Sequence, residues 1–361
     1  MFIILAVGGT GGHLFPAQAL AEELREKDPC IQILFAGAHL DANRFLDKNR
    51  FAFQEIASAT PFRRRRLSSC FVLLKGLIES LKLLRSKKPD LVVGFGSYHS
   101  FPVLLAAKLL AIPFILFEAD TIPGKVNRFF SRYARFTAVH FPKAAAHLKG
   151  KSVPVIMPNR HCSMPDSIDR ETARAMLGLS PHCFTLLVFG GSQGAKGINQ
   201  HVLACLPKLK QLSFPMQLIH ITGNKEMAEQ IQTVCETLGI ACYARDFETR
   251  MPIVWKASSL ALCRCGASTL AEMVHFEVPG IVVPYPHASD AHQQKNAEFL
   301  ENVIQGGICL LEEELSADKL CALLDACEKK LENYKAGMHH YKESEHRKTL
   351  GQAIYEYDAL H

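Results

Sequence analysis

At 361 residues and 40.1 kDa, with 48% hydrophobic and 21% charged residues, the chain has the composition of a globular protein, which excludes disordered, low-complexity and collagen-like classes. The length exceeds what one ordinary core fills and suits two domains of roughly 150–200 residues each. The net charge of +6 is concentrated, because residues 61–88 carry nine Lys/Arg against one Glu, a local +8 that leaves −2 for the remainder.

Twelve cysteines are scattered, with neither a C-x-x-C pair nor a Cys/His quartet at zinc spacing, so reduced and mostly buried thiols are expected. The longest apolar stretch, 101–117, is interrupted by Lys108 and Pro113 and falls short of the roughly 20 residues a spanning helix needs. The apolar start, 1–7, lacks a preceding basic region and reads as a first strand rather than a secretion signal, which points to the cytosol.

The first expected strand, 2–7, runs into AVGGTGGHLFPA, whose four glycines permit positive φ and close approach of backbone to a ligand. Dinucleotide binding is the first hypothesis for such a turn, and it fails. Leu14 stands where G-x-G-x-x-G needs its third glycine, and the second strand, 31–36, ends on Gly37, Ala38 and His39 with no acid to hold a ribose.

The basic segment follows as PFRRRRLSSCFVLLKGLIESLKLLRSKKP. It joins four arginines to an apolar helix whose polar face, Lys75, Glu79 and Lys82, is narrow. Such a helix can be partly core and partly pressed on anionic lipid; a solvated charge run and nucleic-acid binding are the rival readings.

Strands are expected at 91–93, 114–117 and 138–139, and alternation with helical stretches argues for a parallel sheet wound on both faces. Three prolines in KSVPVIMPNRHCSMPDS break the pattern, and the domain boundary is placed at residue 156. Further strands at 184–189, 217–221, 260–263 and 280–283 predict a second parallel sheet.

Each half thus opens with a strand and a glycine-rich turn, the second being VFGGSQGAKGIN. There glycines bracket Ser192 and Gln193 at an expected helix N-terminus, a favourable place for phosphate, without the G-K-[ST] of a Walker loop. CRCGASTLAE repeats the design and puts Glu272 in the second helical turn, where a carboxylate can accept from both hydroxyls of a ribose. PYPHASDAHQQKNA sets His292, Gln293 and Gln294 at another helix start, and amides suit sugar hydroxyls because they donate and accept. After Leu315 the chain reads as helical and charged.

In their order and spacing, GGTGGHLFPA, GGSQGAKGIN, CRCGASTLAE and DAHQQKNA resemble the MurG family of bacterial glycosyltransferases, over nearly the whole chain. The resemblance implies an α/β protein of GT-B architecture, two Rossmann-like domains with parallel sheets facing an interdomain cleft. Residues 1–156 would form an N-terminal acceptor- and membrane-binding domain, 157–340 a UDP-GlcNAc-binding domain, and 341–361 a C-terminal helix able to pack back on the first domain.

The implied reaction is an inverting transfer of GlcNAc from UDP-GlcNAc to the 4-hydroxyl of a lipid-linked muramyl-pentapeptide, lipid I to lipid II, in peptidoglycan synthesis. Carried over position by position, Ser192 and Gln193 would meet the diphosphate with Arg160, Glu272 the ribose, the main chain at Phe247 and Glu248 the uracil edge, and Gln293 and Gln294 the sugar hydroxyls. Thr10, Gly11, Gly12 and Asn127 would also face donor phosphates, while Gly11, His13, Tyr98, Asp120 and Asn127 would meet the acceptor.

His13 and Glu118 are the candidate bases. The absence of a D-x-D motif implies no metal, and no cofactor is implied. Arg63, Arg64, Arg65, Arg66, Phe71, Lys75 and Lys82 would meet an anionic membrane, placing the protein peripherally on the cytoplasmic face of the inner membrane, where other cell-wall synthesis enzymes are further partners.

Two stretches depart from the family pattern. Phe117-Glu118-Ala119-Asp120 replaces His-Glu-Gln-Asn, and GFGSYHSFP replaces Gly-Gly-Tyr-Val-Ser-Gly-Pro. Both lie on the implied acceptor side. The alternatives are a related UDP-sugar glycolipid glycosyltransferase with a diacylglycerol-type acceptor, and a catalytically silent UDP-binding scaffold protein.

Overall fold

A computed structural model describes residues 1–59, 66–159, 168–191, 194–286, 291–344 and 347–358, and of 66–68 and 358 the backbone alone. The chain divides into two compact units, Met1–Arg160 with Arg347–His361, and His161–His346.

In the first unit the elements run β1 (Phe2–Ala6), α1 (Gly11–Lys27), β2 (Gln32–Gly37), β3 (Ala52–Glu55), α2 (Arg66–Lys87), β4 (Leu91–Gly94), α3 (Phe101–Leu109), β5 (Phe114–Glu118), α4 (Lys125–Phe130), β6 (Thr137–Val139) and β7 (Ser152–Pro154). The strands form one sheet in the order β3-β2-β1-β4-β5-β6-β7, every pairing parallel. Helices cover both faces of such a sheet, so its central strands are near-continuous apolar runs. Ile3, Ile4 and Leu5 of β1 and Ile115 and Leu116 of β5 have no exposed surface.

The second unit contains α5 (Arg170–Met176), β8 (Phe184–Phe189), α6 (Lys196–Leu209), β9 (Met216–Ile221), α7 (Lys225–Leu238), β10 (Cys242–Arg245), α8 (Met251–Ala257), β11 (Leu260–Cys263), α9 (Ala267–Phe276), β12 (Gly280–Val282), α10 (His292–Phe299), β13 (Gly307–Cys309) and α11 (Ala317–Ser344). Its sheet, β10-β9-β8-β11-β12-β13, is again wholly parallel. Its core joins Val188, Ile198, Leu218, Leu262, Ile281 and Leu324.

α11 runs through position 340, so the boundary drawn there from the sequence falls inside a helix. The chain rejoins the first unit at Arg347, and α12 (Leu350–Asp358) lies against α1. Glu23 of α1 accepts from the Thr349 hydroxyl and from the Gly351 amide at 3.2 Å, while Arg347 donates to the Val155 carbonyl at 3.1 Å.

Every strand read from the sequence is present. The four that were missed, β3, β7, β10 and β13, are the edges of the two sheets. The thiol expectation needs correction: among the described cysteines none is paired, but Cys30 and Cys70 are exposed, and those buried are Cys205, Cys235, Cys263, Cys265 and Cys327.

Candidate active site

In each sheet strand order reverses at one point, between β1 and β4 in the first unit and between β8 and β11 in the second. Turns that leave the carboxyl ends of the strands flank a crevice there, the usual ligand position in an open α/β sheet.

At the first reversal point the opening turn packs on the turn after β4. A Cβ at Gly8 would lie 2.6 Å from the Ser97 Cβ and 3.1 Å from His13 Nδ1, so glycine is required for close packing at that position. None of Gly8, Gly9, Gly11 and Gly12 has positive φ, and a Cβ at Gly12 would meet nothing within 4 Å. Of the two properties glycine offers this turn, positive φ is therefore not the one used; Gly96, at φ 77°, and Ser97, at φ 68°, carry that conformation in the facing turn.

Thr10 stands at the N-cap of α1, with its hydroxyl 2.9 Å from His13 Nδ1. Gly11 and Gly12 open the helix. The Gly9 amide donates to His99 Nδ1 at 3.2 Å and its carbonyl accepts from Asn43 at 2.7 Å. Burial, with the neighbouring His39 ring at 5.9 Å, holds His99 below the usual imidazole range. A neutral ring can accept the Gly9 N–H. Tyr98 begins the short turn between β4 and α3, half-buried, and its carbonyl accepts from Ser58 at 2.9 Å.

The neighbouring β5 ends on Glu118, which is 5% exposed. Its carboxylate accepts from the amides of Asp120 at 3.0 Å and Gly124 at 3.1 Å, and from the Asn127 side chain at 2.9 Å. Burial first, and then the charge of Asp120, raise its pKa to about 7 against those donors. Asn127 is buried and also donates to the Phe117 carbonyl at 2.9 Å, and its own buried Oδ1 has no donor among the described residues. A Cβ at Gly96 would come within 3.4 Å of that amide. Thr10 and His13 thus follow β1, Tyr98 follows β4, and Glu118, Asp120 and Asn127 close on one another after β5, the three turns meeting where Gly8 packs on Ser97 and Gly96 on Asn127.

In the second unit the glycine turn after β8 does use left-handed backbone, with Gly191 at φ 81° and Gly194 at φ 72°. A Cβ on Gly190 would sit 2.1 Å from the Ala195 nitrogen, so the turn closes tightly on the start of α6. Ser192, Gln193 and Arg160 lie outside the described residues, as do Arg63, Arg64 and Arg65; the Arg66 side chain is likewise not described.

After β11 the chain turns through Gly266 into α9, where Glu272 accepts from the Trp255 indole N–H at 2.8 Å. Gln293, in the first turn of α10, accepts from the Tyr285 amide at 2.9 Å; Gln294 beside it is exposed. After β10, Phe247 is 38% exposed whereas Glu248 is 8% exposed. The Glu248 carboxylate accepts from the Tyr243 hydroxyl at 2.6 Å and the Arg250 amide at 2.7 Å. Burial works the other way, but these bonds and the Arg250 guanidinium hold it below the usual carboxylate range. Its side chain braces the segment that presents Phe247.

Sequence reasoning missed His99, Trp255 and the pair Arg264–Glu312. An arginine directly after the fully apolar β11 was a visible signal, because a charge at a buried strand end needs a partner. Among the described residues no group of three or more His, Cys, Asp or Glu side chains is placed to hold a metal ion, and no helix is long and apolar enough to cross a membrane.

Paired parallel sheets, each with glycine-lined turns at its reversal point, define the GT-B class of glycosyltransferase architecture. Residues 3–139 match the family model for the glycosyltransferase family 28 N-terminal domain, and 185–352 the model for its C-terminal domain. The UDP-N-acetylglucosamine--N-acetylmuramyl-(pentapeptide) pyrophosphoryl-undecaprenol N-acetylglucosamine transferase of Protochlamydia amoebophila is 41% identical, over 99% of this chain and 96% of the relative. The protein of the same name from Chlamydia trachomatis serovar L2 is 36% identical over 98% of both chains. Among solved structures, Acinetobacter baumannii MurG superposes with a TM-score of 0.75 at 25% identity, over 99% of this chain and 98% of that one. A UDP-glucose: anthocyanidin 3-O-glucosyltransferase in complex with UDP shares the fold, with a TM-score of 0.69 at 14% identity over 95% and 93% of the two chains. The chain belongs to glycosyltransferase family 28, among the MurG-type N-acetylglucosamine transferases.

Proposed function

We propose that the chain moves GlcNAc from UDP-GlcNAc onto the 4-hydroxyl of lipid-linked N-acetylmuramyl-pentapeptide with inversion, converting lipid I to lipid II. The observation that carries this reading is the relative of that activity, 41% identical along 99% of the chain. In this reading the second unit binds the donor. Glu272 takes the ribose hydroxyls, the 247–248 main chain the uracil edge, and Gln293 and Gln294 the sugar. The turn before α6 with Ser192, Gln193 and Arg160 takes the diphosphate, where negative charge grows as UDP departs.

The first unit binds the acceptor through the turns at Gly11, Tyr98 and Asp120. His13 is the base. Its Nδ1 is engaged with the Thr10 hydroxyl, which fixes the ring on a half-buried turn at the strand-order reversal. Both oxygens of Glu118 already accept N–H groups, which suits that residue to hold Asn127 and the 120–124 loop in place. Asn127 Oδ1 offers a buried acceptor that a substrate hydroxyl or amide would satisfy.

Membrane association at the cytoplasmic face rests on α2. Phe71, Leu74 and Ile78 are exposed at 73%, 55% and 47%, and with Lys75 and Lys82 they form one solvent-facing stripe at helical spacing. Apolar side chains flanked by cations suit an anionic lipid surface.

Calorimetry with UDP, followed by turnover on a muramyl-pentapeptide lipid and on a diacylglycerol acceptor, tests the reading. UDP binding with product from the muramyl lipid alone is expected. Product from diacylglycerol alone, or from neither, would contradict it.

A further inference from the structure

Arg264 follows the last residue of β11 and is 7% exposed. Its guanidinium donates to the carbonyls of Val283 and Pro284, at 3.3 and 3.2 Å, just beyond β12. It pairs with the Glu312 carboxylate at 2.6 Å, beyond β13, and lies 5.4 Å over the Tyr285 ring. The other Glu312 oxygen occupies the space over Gly197, in the first turn of α6, where a Cβ would come within 1.7 Å of it. One ion pair, of a buried arginine and a half-buried glutamate, therefore contacts four segments, and three of them adjoin the candidate donor residues: the start of α6 after the glycine turn, the strand end before Glu272, and the 283–285 segment, whose Tyr285 amide meets Gln293.

We propose that Arg264, Glu312 and Gly197 form a positioning unit for the nucleotide-sugar donor, setting the spacing between the diphosphate turn and the sugar-reading amides. The proposal rests on the donor-site reading above. None of the three touches the reacting atoms. They act through the segments they tie, and removing Glu312 would leave the buried Arg264 charge without its carboxylate.

Gly197→Ala is the discriminating substitution. Alanine is the better helix former, so helix propensity favours the variant, yet its methyl group meets the Glu312 carboxylate, which has to shift from its place over α6. Full-length protein carrying Gly197→Ala, Glu312→Gln, Arg264→Lys or Gly197→Ala with Glu312→Gln is compared with wild type in KM and kcat for UDP-GlcNAc, Kd for UDP, and Tm. Each single variant is expected to raise KM and Kd about tenfold with kcat within about twofold, as for loosened positioning of a ligand site. The double variant is expected to be no worse than the weaker single one, because both changes act on one contact.

Unchanged KM and Kd in Gly197→Ala and Glu312→Gln would overturn the proposal, as would a fall in Tm and kcat at constant KM. Should Arg264→Lys fail to fold, those two variants still decide. Wild type that binds no UDP would overturn the donor-site reading and this inference with it, whereas wild-type binding with indifferent variants overturns this inference alone.

Discussion

Gly8 and Gly12 lie four residues apart in one motif and do different work. A methyl group at Gly8 would collide with Ser97, whereas one at Gly12 meets open space. Gly8→Ala is therefore expected to destabilise the protein by about 1–3 kcal/mol through overpacking, and Gly12→Ala to be neutral or stabilising by up to about 1 kcal/mol through helix propensity. Denaturant titration of the two variants checks this, and equal losses would contradict the packing assignment. The sequence motif marked the position of the turn correctly but could not separate these glycines, because the partner that constrains Gly8 comes from the turn after β4, some ninety residues on. Glu118 is similar. Its raised pKa, about 7 against an ordinary 4.5, arises first from burial, which is not legible before the strands are placed, and then from Asp120, which stands two residues on in the sequence. A raised folded-state pKa contributes stability that is fully present below about pH 4.5 and lost as the pH rises through about 7. Glu118→Gln should flatten that part of the stability profile; an unchanged slope between these values would count against the assignment.

At the scale of elements, the central strands were legible because apolar residues cover both faces of a buried parallel strand. The missed strands are edges, where one side lacks a neighbour and the apolar signal thins: β3 has no buried residue, and β7 contains Pro154, which edge strands tolerate. The α2 helix was legible as a segment, while its register was settled only by packing. Gly76 sits where a Cβ would lie 1.8 Å from the Ala57 carbonyl oxygen, and Ser80 and Leu84 follow on that buried face. The opposite face carries Phe71, Leu74 and Ile78. Changing all three to Ser is expected to lower affinity for vesicles of anionic phospholipid at least tenfold, since each buried apolar side chain is worth about 1.5–3 kcal/mol, and to leave Kd for UDP unchanged. Sedimentation with vesicles measures the first and calorimetry the second. Undiminished vesicle binding would rule out this face as the contact.

The whole molecule consists of two units built on one plan, each a parallel sheet with a glycine turn after its central strand, and that repetition was visible in the sequence as the paired motifs. The return of α12 to the first unit was harder to read, because the Glu23 contacts that hold it join opposite ends of the chain. Each unit also buries a histidine, His140 in the first and His220 in the second. Burial pushes both imidazoles down to about 3, helped at His140 by the Arg347 charge. A depressed folded-state pKa contributes stability that is present above about pH 6.5 and lost as the pH falls toward 3. His220→Gln, which gains no proton there, should make the fall shallower, and an equally steep acid transition in the variant would contradict this.

The most direct test of the central claim is transfer of labelled GlcNAc from UDP-GlcNAc to a short-chain lipid-linked muramyl-pentapeptide, with wild type measured beside Glu272→Ala. The account predicts disaccharide-lipid from wild type, and from Glu272→Ala only at UDP-GlcNAc concentrations raised about tenfold or more, as expected when one charge-assisted hydrogen-bonding group is lost from the donor site. Wild-type protein that binds UDP yet forms no disaccharide on the muramyl lipid would contradict it.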